Sequence, residues 1–471
     1  MANVHPRWSL LLEWLSDQGM NTDEILVEAR TSPGTGYGLF ALKDIPPSTP
    51  LFTIPAKAMM NIRTLVGLYP KTRPNLTAFQ IMSMHLFLFR PPAPKVDSKD
   101  TAFGPYISIL PSDFETHPLS WLIKSRSSGE KCDLLEYLPK DALDSLRSVS
   151  MRFSKDWERV SHYLRDNPAL LAIVKAQGRE LLDLDSVAAE LDFLWGWLNV
   201  NTRSIYHRLC EKRSDPDNMT MCPILDFANH SNQPEHTYPQ LSHAEVWDQA
   251  PSKSMGDDFV LLSPKERTSS AREEVFLRYG PHPNRTLFVE YGFVRGTGSN
   301  TLENNSLDCE ADLLWHISAL FAKRGIVGKW MEELLRTEGY WGDWTIHSAP
   351  EPAHPSFRLV TALRLYHSVS LEAITPPEDE TEVRAWQGTI TGSQDMVSIK
   401  NEIAWRETLG VLCSAIENES STYLNKVEEV GETWPKDSSV VCMRWSLSML
   451  WREQQHVAQC VRKSLERGED F

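Results

Sequence analysis

Ile224-Leu225-Asp226-Phe227-Ala228-Asn229-His230-Ser231, with Val275-Phe276-Leu277-Arg278-Tyr279-Gly280 and Glu290-Tyr291-Gly292-Phe293 following it, is the part of the chain on which the fold turns. In each piece an apolar run gives way abruptly to Asn, His or Tyr. Such switches place polar side chains at the ends of buried segments, where a pocket can be built. Apolar runs of three to five residues broken by Pro and Gly read as short strands of a small, irregular sheet.

The same texture recurs upstream. Leu39-Phe40-Ala41 and Leu51-Phe52-Thr53-Ile54 are strand-like and are separated by Pro46-Pro47. Between these two β-rich regions the pattern is helical. Asn75–Phe89 is apolar with helical length and stops at Arg90-Pro91-Pro92, and residues 181–200 are dense in Leu, Phe and Trp. Before the sheet, Pro6–Asp17 places Trp8, Leu11, Leu12 and Leu15 on one stripe, with Gly19 where a helix cap falls. After Gly296–Asn300 the periodicity is helical over 313–322, 330–336, 355–366, 397–420 and 442–467, and 375–382 reads as an acidic loop. The order of strands, helical insert, strands and helical tail predicts an α+β domain followed by a separate helical one.

The chain has 471 residues, enough for two or three cores, and 41% of them are hydrophobic, as in an ordinary globular protein. A net charge of −15 disfavours direct nucleic-acid binding, which needs basic patches, and suits a basic protein partner. The seven cysteines (Cys132, Cys210, Cys222, Cys309, Cys413, Cys442 and Cys460) form no C-x-x-C pair, and His230, Glu235 and His236 lack zinc spacing, so no metal site is expected. No apolar run approaches a membrane span, and the first residues lack the features of a signal peptide. These readings predict a monomer in the cytoplasm, the nucleus or both.

Four segments in order resemble the SET-domain protein methyltransferases, and within them the group of the plant Rubisco large-subunit lysine methyltransferase and the fungal ribosomal-protein methyltransferases. They are Gly36-Tyr37-Gly38-Leu39-Phe40-Ala41, Gly104-Pro105-Tyr106-Ile107 with Pro118-Leu119-Ser120-Trp121, Asn201-Thr202-Arg203-Ser204, and the stretch from Ile224 to Phe293. The resemblance implies an irregular β-rich SET fold over 20–293 with a pseudoknot-like crossing and a helical insertion at about 65–200. An all-α substrate-binding-like domain would follow over 300–471.

It further implies S-adenosyl-L-methionine as cofactor and a protein lysine as acceptor, on a non-histone substrate such as a ribosomal protein or translation factor. By this resemblance Gly36, Tyr37, Gly38, Leu39, Arg203, Asn229, His230 and Tyr279 bind the cofactor. Tyr279 is also the catalytic residue, and Ile205, Asp226 and Tyr291 face the substrate. The residue types suit the chemistry. An amine must be neutral to accept a methyl group, yet lysine has a pKa of ~10.4, so the pocket has to desolvate and align it. Arginine suits a carboxylate, and aromatic walls suit an ammonium.

Plainer readings stand beside these. Gly34–Gly38 has the composition of a hairpin turn, Asn229-His230 of a polar turn, and Tyr279 could be a core tyrosine with a satisfied hydroxyl. Arg203 could be a surface arginine, and Asp226 a structural carboxylate. Two other functions remain open. A histidine-directed methyltransferase is disfavoured by Ile205, which cannot hydrogen-bond an imidazole. A catalytically silent SET-fold binding module is disfavoured by the presence of Tyr279, Arg203, Asn229 and His230 together. Pro281-His282-Pro283 departs from the family's small polar residues, and no cysteine cluster follows the SET core.

Overall fold

A computed structural model describes residues 3–32, 36–71, 73, 75–128, 133–180, 183–232, 235–241, 245, 248–251, 255–296, 309–377, 381–431 and 437–471. These residues form two compact units. One comprises residues 1–115, 123–129 and 149–282, the other 116–122, 130–148 and 283–471. The expected turn at 33–35, the boundary at 297–300 and the acidic residues 378–380 lie outside the described residues.

The first unit contains nine short strands among its described residues: β1 (Val27–Ser32), β2 (Gly36–Ala41), β3 (Pro50–Ile54), β4 (Met60–Asn61), β5 (Ser204–Tyr206), β6 (Met219–Met221), β7 (Tyr238–Pro239), β8 (Phe259–Leu262) and β9 (Glu274–Val275). They pair as three antiparallel sheets, β1-β2-β9, β3-β8-β7 and β4-β6-β5, each joining strands from both sides of the helical insert. The register Leu39↔Val275 and Phe40↔Glu274 carries the glycine-rich strand to the start of the Tyr279 segment. The segment 229–231 runs parallel to Leu277 through a His230↔Leu277 bridge. Leu277 N donates to Asn229 O at 2.9 Å and Ser231 N donates to Leu277 O at 3.0 Å.

Helix Ala78–Phe89 begins where its sequence says it should. Thr77 Oγ1 accepts from Gln80 N and Gln80 Oε1 accepts from Thr77 N, both at 3.2 Å, a reciprocal cap that satisfies two end groups. It stops at Arg90, ahead of Pro91, whose ring cannot enter the helix. The helix expected over 181–200 forms at Val187–Arg203, capped by Ser186 Oγ, and packs on Ala78–Phe89. Phe79, Phe153 and Trp197 meet edge to face there, and Trp197 Nε1 donates to Asp156 Oδ2 at 2.9 Å, so the buried indole keeps a partner. The N-terminal helix forms at Trp8–Asp17 with Trp8, Leu11 and Leu15 buried.

The second unit is helical, with Leu314–Lys323, Gly325–Thr337, Phe357–His367, Thr381–Thr391, Ile399–Gly431 and Ser438–Glu466. The last two are the longest and pack on each other, with Tyr423 and Trp451 stacked at 4.6 Å. Its core joins Phe321, Met331, Trp344, Trp386, Trp405 and Leu409. Among the described residues the helices are accompanied by one small sheet that periodicity did not announce: β10 (Glu310–Asp312), β11 (Thr345–His347) and β12 (His354–Pro355).

Glu453, on Ser438–Glu466, is 4% exposed. Burial pushes its carboxyl up to about 7, against hydrogen bonding from Asn284 and the nearby Arg295. A carboxyl whose folded pKa is raised binds protons that the unfolded chain has lost, so its stability contribution falls as pH rises from about 4.5 to about 7. Glu453→Gln is expected to remove that loss. Its melting temperature relative to the unmodified chain should rise between pH 5 and pH 8, by up to the equivalent of about 3 kcal/mol, in a denaturation series across that window.

Candidate active site

The site in the first unit starts from strain. Ile224, fully buried, has φ +69° and ψ −50°, and Leu225 N donates to Pro223 O at 2.8 Å. This is a γ-turn, rare for any residue and unfavourable for a β-branched one. Packing holds it, and the chain it redirects is Asp226–Ser231. Strain of this kind gathers at sites where a backbone direction matters more than local ease.

Asn229 ties that segment to the glycine-rich strand. Its amide Nδ2 donates to Tyr37 O at 3.1 Å and to Glu274 Oε1 at 2.7 Å, while Ser32 Oγ donates to Glu274 Oε2 at 2.8 Å. Glu274 therefore joins β1, β9 and the Asn229 segment, a role the sequence reading did not assign. Its only sequence signal is a carboxylate placed immediately before the apolar run Val275-Phe276-Leu277.

The same knot explains Gly38. A Cβ there would lie 2.2 Å from Glu274 Oε1 and 3.0 Å from Asn229 Nδ2. Gly36 differs: its neighbourhood is open, and its φ of +85° is what calls for glycine. Gly38→Ala is expected to cost about 1–3 kcal/mol, because Glu274 cannot move without losing both hydrogen bonds. Gly36→Ala should cost less, about 1 kcal/mol of backbone strain. Urea denaturation of the two variants side by side checks the order.

Tyr279 reaches the same segment twice. Its hydroxyl donates to Ala228 O at 2.9 Å, and its backbone N–H donates to His230 Nδ1 at 3.2 Å. The second bond makes Nδ1 an acceptor, so a neutral His230 carries its proton on Nε2. The two rings lie 5.1 Å apart. The Pro281-His282-Pro283 loop follows directly, and a Cβ on Gly280 would lie 2.4 Å from His282 Nε2. Tyr37 is set from the other side by His5 at 4.5 Å and Phe227 at 6.2 Å. Leu39 is fully buried, a core side chain between β1 and β9.

Arg203 ends the helix Val187–Arg203, and its Nη1 donates to Asp226 O at 2.9 Å. Tyr106, from the Gly104-Pro105-Tyr106-Ile107 segment, donates its hydroxyl to Asp226 Oδ2 at 2.5 Å. Burial pushes the Asp226 carboxyl up to about 6, opposed by Arg203 and by the Tyr106 hydrogen bond. Burial and the Asp226 charge push the Tyr106 hydroxyl well above its ordinary range, so it stays a donor. Arg203 Nε and Asp226 Oδ1 are buried without hydrogen-bond partners among the described residues. Ile205, two residues after Arg203, lies on β5, half-buried and opposite Thr220.

The structure thus brings Tyr37, Gly38, Arg203, Asp226, Asn229, His230 and Tyr279 into one connected network. Tyr291 belongs to the second unit. Within the region up to Phe293 where short strands are expected to return, residues 284–291 form a helical turn and then a π-type turn (Leu287–Tyr291) that ends at Gly292 with φ +82°. Buried His117 supports this turn. A Cβ on Gly292 would touch its ring at 2.7 Å, and burial lowers its imidazole to about 4, so it is neutral. Among the described residues no group of three or more His, Cys, Asp or Glu could hold a metal, and no helix is long and apolar enough to cross a membrane.

No protein-family profile matches the chain. It is 26% identical over 412 residues to ribosomal lysine N-methyltransferase set11 of Schizosaccharomyces pombe, covering 86% of this chain and 87% of that one. It is also 26% identical over 453 residues to SET domain-containing protein 4 of Mus musculus, covering 93% and 86%. Among solved structures it is similar to Rubisco LSMT bound to sinefungin and monomethyllysine, with a TM-score of 0.56, 16% identity, and 99% and 92% of the two chains covered. Rubisco LSMT bound to AdoMet matches equally, with a TM-score of 0.56, 16% identity and coverages of 98% and 94%. The chain is similar over most of its length to a fungal ribosomal lysine N-methyltransferase and to an animal SET domain-containing protein, and it has the fold of the Rubisco LSMT SET structures.

Proposed function

We propose that this chain is an S-adenosylmethionine-dependent protein-lysine N-methyltransferase. Its substrate is a non-histone protein such as a ribosomal protein or translation factor, and it works as a monomer in the cytoplasm or nucleus. The observation that carries the reading is the double attachment of Tyr279 to the 228–230 segment, which fixes a hydroxyl beside a backbone carbonyl at the centre of the network.

When bound, the cofactor supplies a methyl group on a positively charged sulfur. The residues present fit it. Arg203 has one donor committed to Asp226 O and a buried Nε without a partner among the described residues, and buried polar atoms of that kind call for a polar ligand. Arg203 would take the cofactor carboxylate, a pairing its guanidinium favours over lysine. The backbone of Gly36–Leu39, with Asn229 and His230, would hold the rest of the cofactor.

The chain's own contribution is binding and alignment. Backbone carbonyls such as Ala228 O accept from an amine and orient its lone pair. Half-buried walls favour the neutral amine over the ammonium. The Tyr279 hydroxyl, held by Ala228 O, acts as an oriented dipole beside the acceptor nitrogen. Ile205, Asp226 and Tyr291 are assigned to substrate contact. We assign catalysis to residues 20–293, with the helical insertion at about 65–200, and substrate recognition to the helical tail 300–471.

The test is incubation with tritium-labelled S-adenosylmethionine and an extract from cells lacking the protein, followed by amino-acid analysis. Label in methyl-lysine is expected. Label in methyl-histidine, or none, contradicts the reading.

A further inference from the structure

The helical part of the first unit holds a cavity outside this network. It measures about 270 Å³ and is lined by Arg90, Arg179, Asp192, Trp195, Ile107 and Leu110, with the Pro91–Pro94 run forming part of its wall. Two guanidinium groups share one carboxylate here. Arg90 Nη1 contacts Asp192 Oδ1 at 2.5 Å, and Arg179 Nη1 donates to Asp192 Oδ2. One positive charge is left over, on side chains that are 24% and 10% exposed. A buried cation lacking its own counter-ion is costly, and it is stabilised by an anion entering the site.

The donors point the same way. Arg179 Nη2 donates to Phe87 O and also reaches Leu88 O at 3.4 Å, whereas Arg179 Nε is buried without a partner among the described residues. Arg90 Nη2 is held by Ser112 O at 3.2 Å. The Arg90 guanidinium lies over the Trp195 ring at 4.9 Å, and Trp195 Nε1 donates to Pro111 O at 2.7 Å, so ring and fork are fixed before any ligand arrives. Burial lowers the Arg179 pKa, with Asp192 opposing that shift and the neighbouring Arg90 adding to it.

We propose that this cavity binds a small organic carboxylate. Its charge would be taken by Arg90 and Arg179, and an apolar body would lie against Trp195, Leu110 and the prolines. The volume falls just below the ~300–1,000 Å³ usual for ligand pockets, which suits a small body of about one amino-acid side chain. A free aromatic or branched acid and the C-terminal residue of a polypeptide offer the same chemistry.

Calorimetric titration of the full chain with phenylacetate, N-acetylphenylalanine, N-acetylphenylalanine amide and inorganic phosphate tests this. Both carboxylates should bind, the amide and phosphate at least ten-fold more weakly. Tighter binding of phenylacetate assigns a free acid, and tighter binding of N-acetylphenylalanine a chain terminus. Arg90→Ala leaves a neutral Arg179–Asp192 pair, so its fold should persist by circular dichroism while carboxylate affinity falls at least ten-fold. Absence of carboxylate binding, equal binding of amide or phosphate, or unchanged affinity in folded Arg90→Ala would overturn the proposal.

Discussion

Tyr279→Phe is expected to lower the rate constant of methyl transfer by about 10²- to 10³-fold while changing the dissociation constant for S-adenosylmethionine by less than about three-fold. The backbone of Tyr279 still donates to His230 Nδ1 in this variant, so the segment keeps its place. What is lost is the hydroxyl donor to Ala228 O, a carbonyl on a residue that is 2% exposed. An unpaired buried carbonyl costs about 1–3 kcal/mol, so some loss of stability accompanies the kinetic defect. Single-turnover kinetics with labelled cofactor separate the two effects. A rate within three-fold of the unmodified chain would remove Tyr279 from its catalytic role.

Arg203→Met should act on binding instead. Removing a charge-assisted pair to a carboxylate costs about 1.5–3 kcal/mol, an increase of about 10- to 100-fold in the dissociation constant for S-adenosylmethionine. The variant also leaves Asp226 O without its donor and removes the positive charge that holds the Asp226 carboxyl down. That carboxyl, about 6 in the intact site, should move higher. Since a raised carboxyl pKa destabilises as pH rises past the unfolded value near 4, the variant should lose stability over a wider interval, extending above pH 6. Cofactor calorimetry and a pH series of melting temperatures read the two effects. Unchanged cofactor affinity would place the carboxylate elsewhere.

Much of this site was legible because its residues sit where patterns break. Tyr279 follows an apolar run, Asn229-His230 follows another, and Arg203 closes a helix dense in Leu and Trp. Partnerships made across the chain were not legible. Glu274 matters through Ser32, Asn229 and the space beside Gly38, none of them near it in sequence. The space beside Gly38 that a Cβ would need is taken by that carboxylate, a contact nothing near Gly38 in sequence announces. The γ-turn at Ile224 contradicts local preference, so no propensity argument could find it.

Length decided the remaining differences. Leu287-Phe288-Val289 reads equally well as a strand or a turn of helix, and only the pairing of its neighbours distinguishes them. The strands Thr345–His347 and His354–Pro355 are too short to show alternation, so the sheet in the helical tail was invisible. Long elements fared better. Helices were expected over 397–420 and 442–467, and Ile399–Gly431 and Ser438–Glu466 are where they form.

Comparative mass spectrometry of cells with and without this protein tests the central claim most directly. The account predicts at least one methyl-lysine on a non-histone protein that disappears with the gene product, returns with the unmodified chain and does not return with Tyr279→Phe. Loss of a methyl-histidine instead, or restoration by both proteins alike, would contradict it.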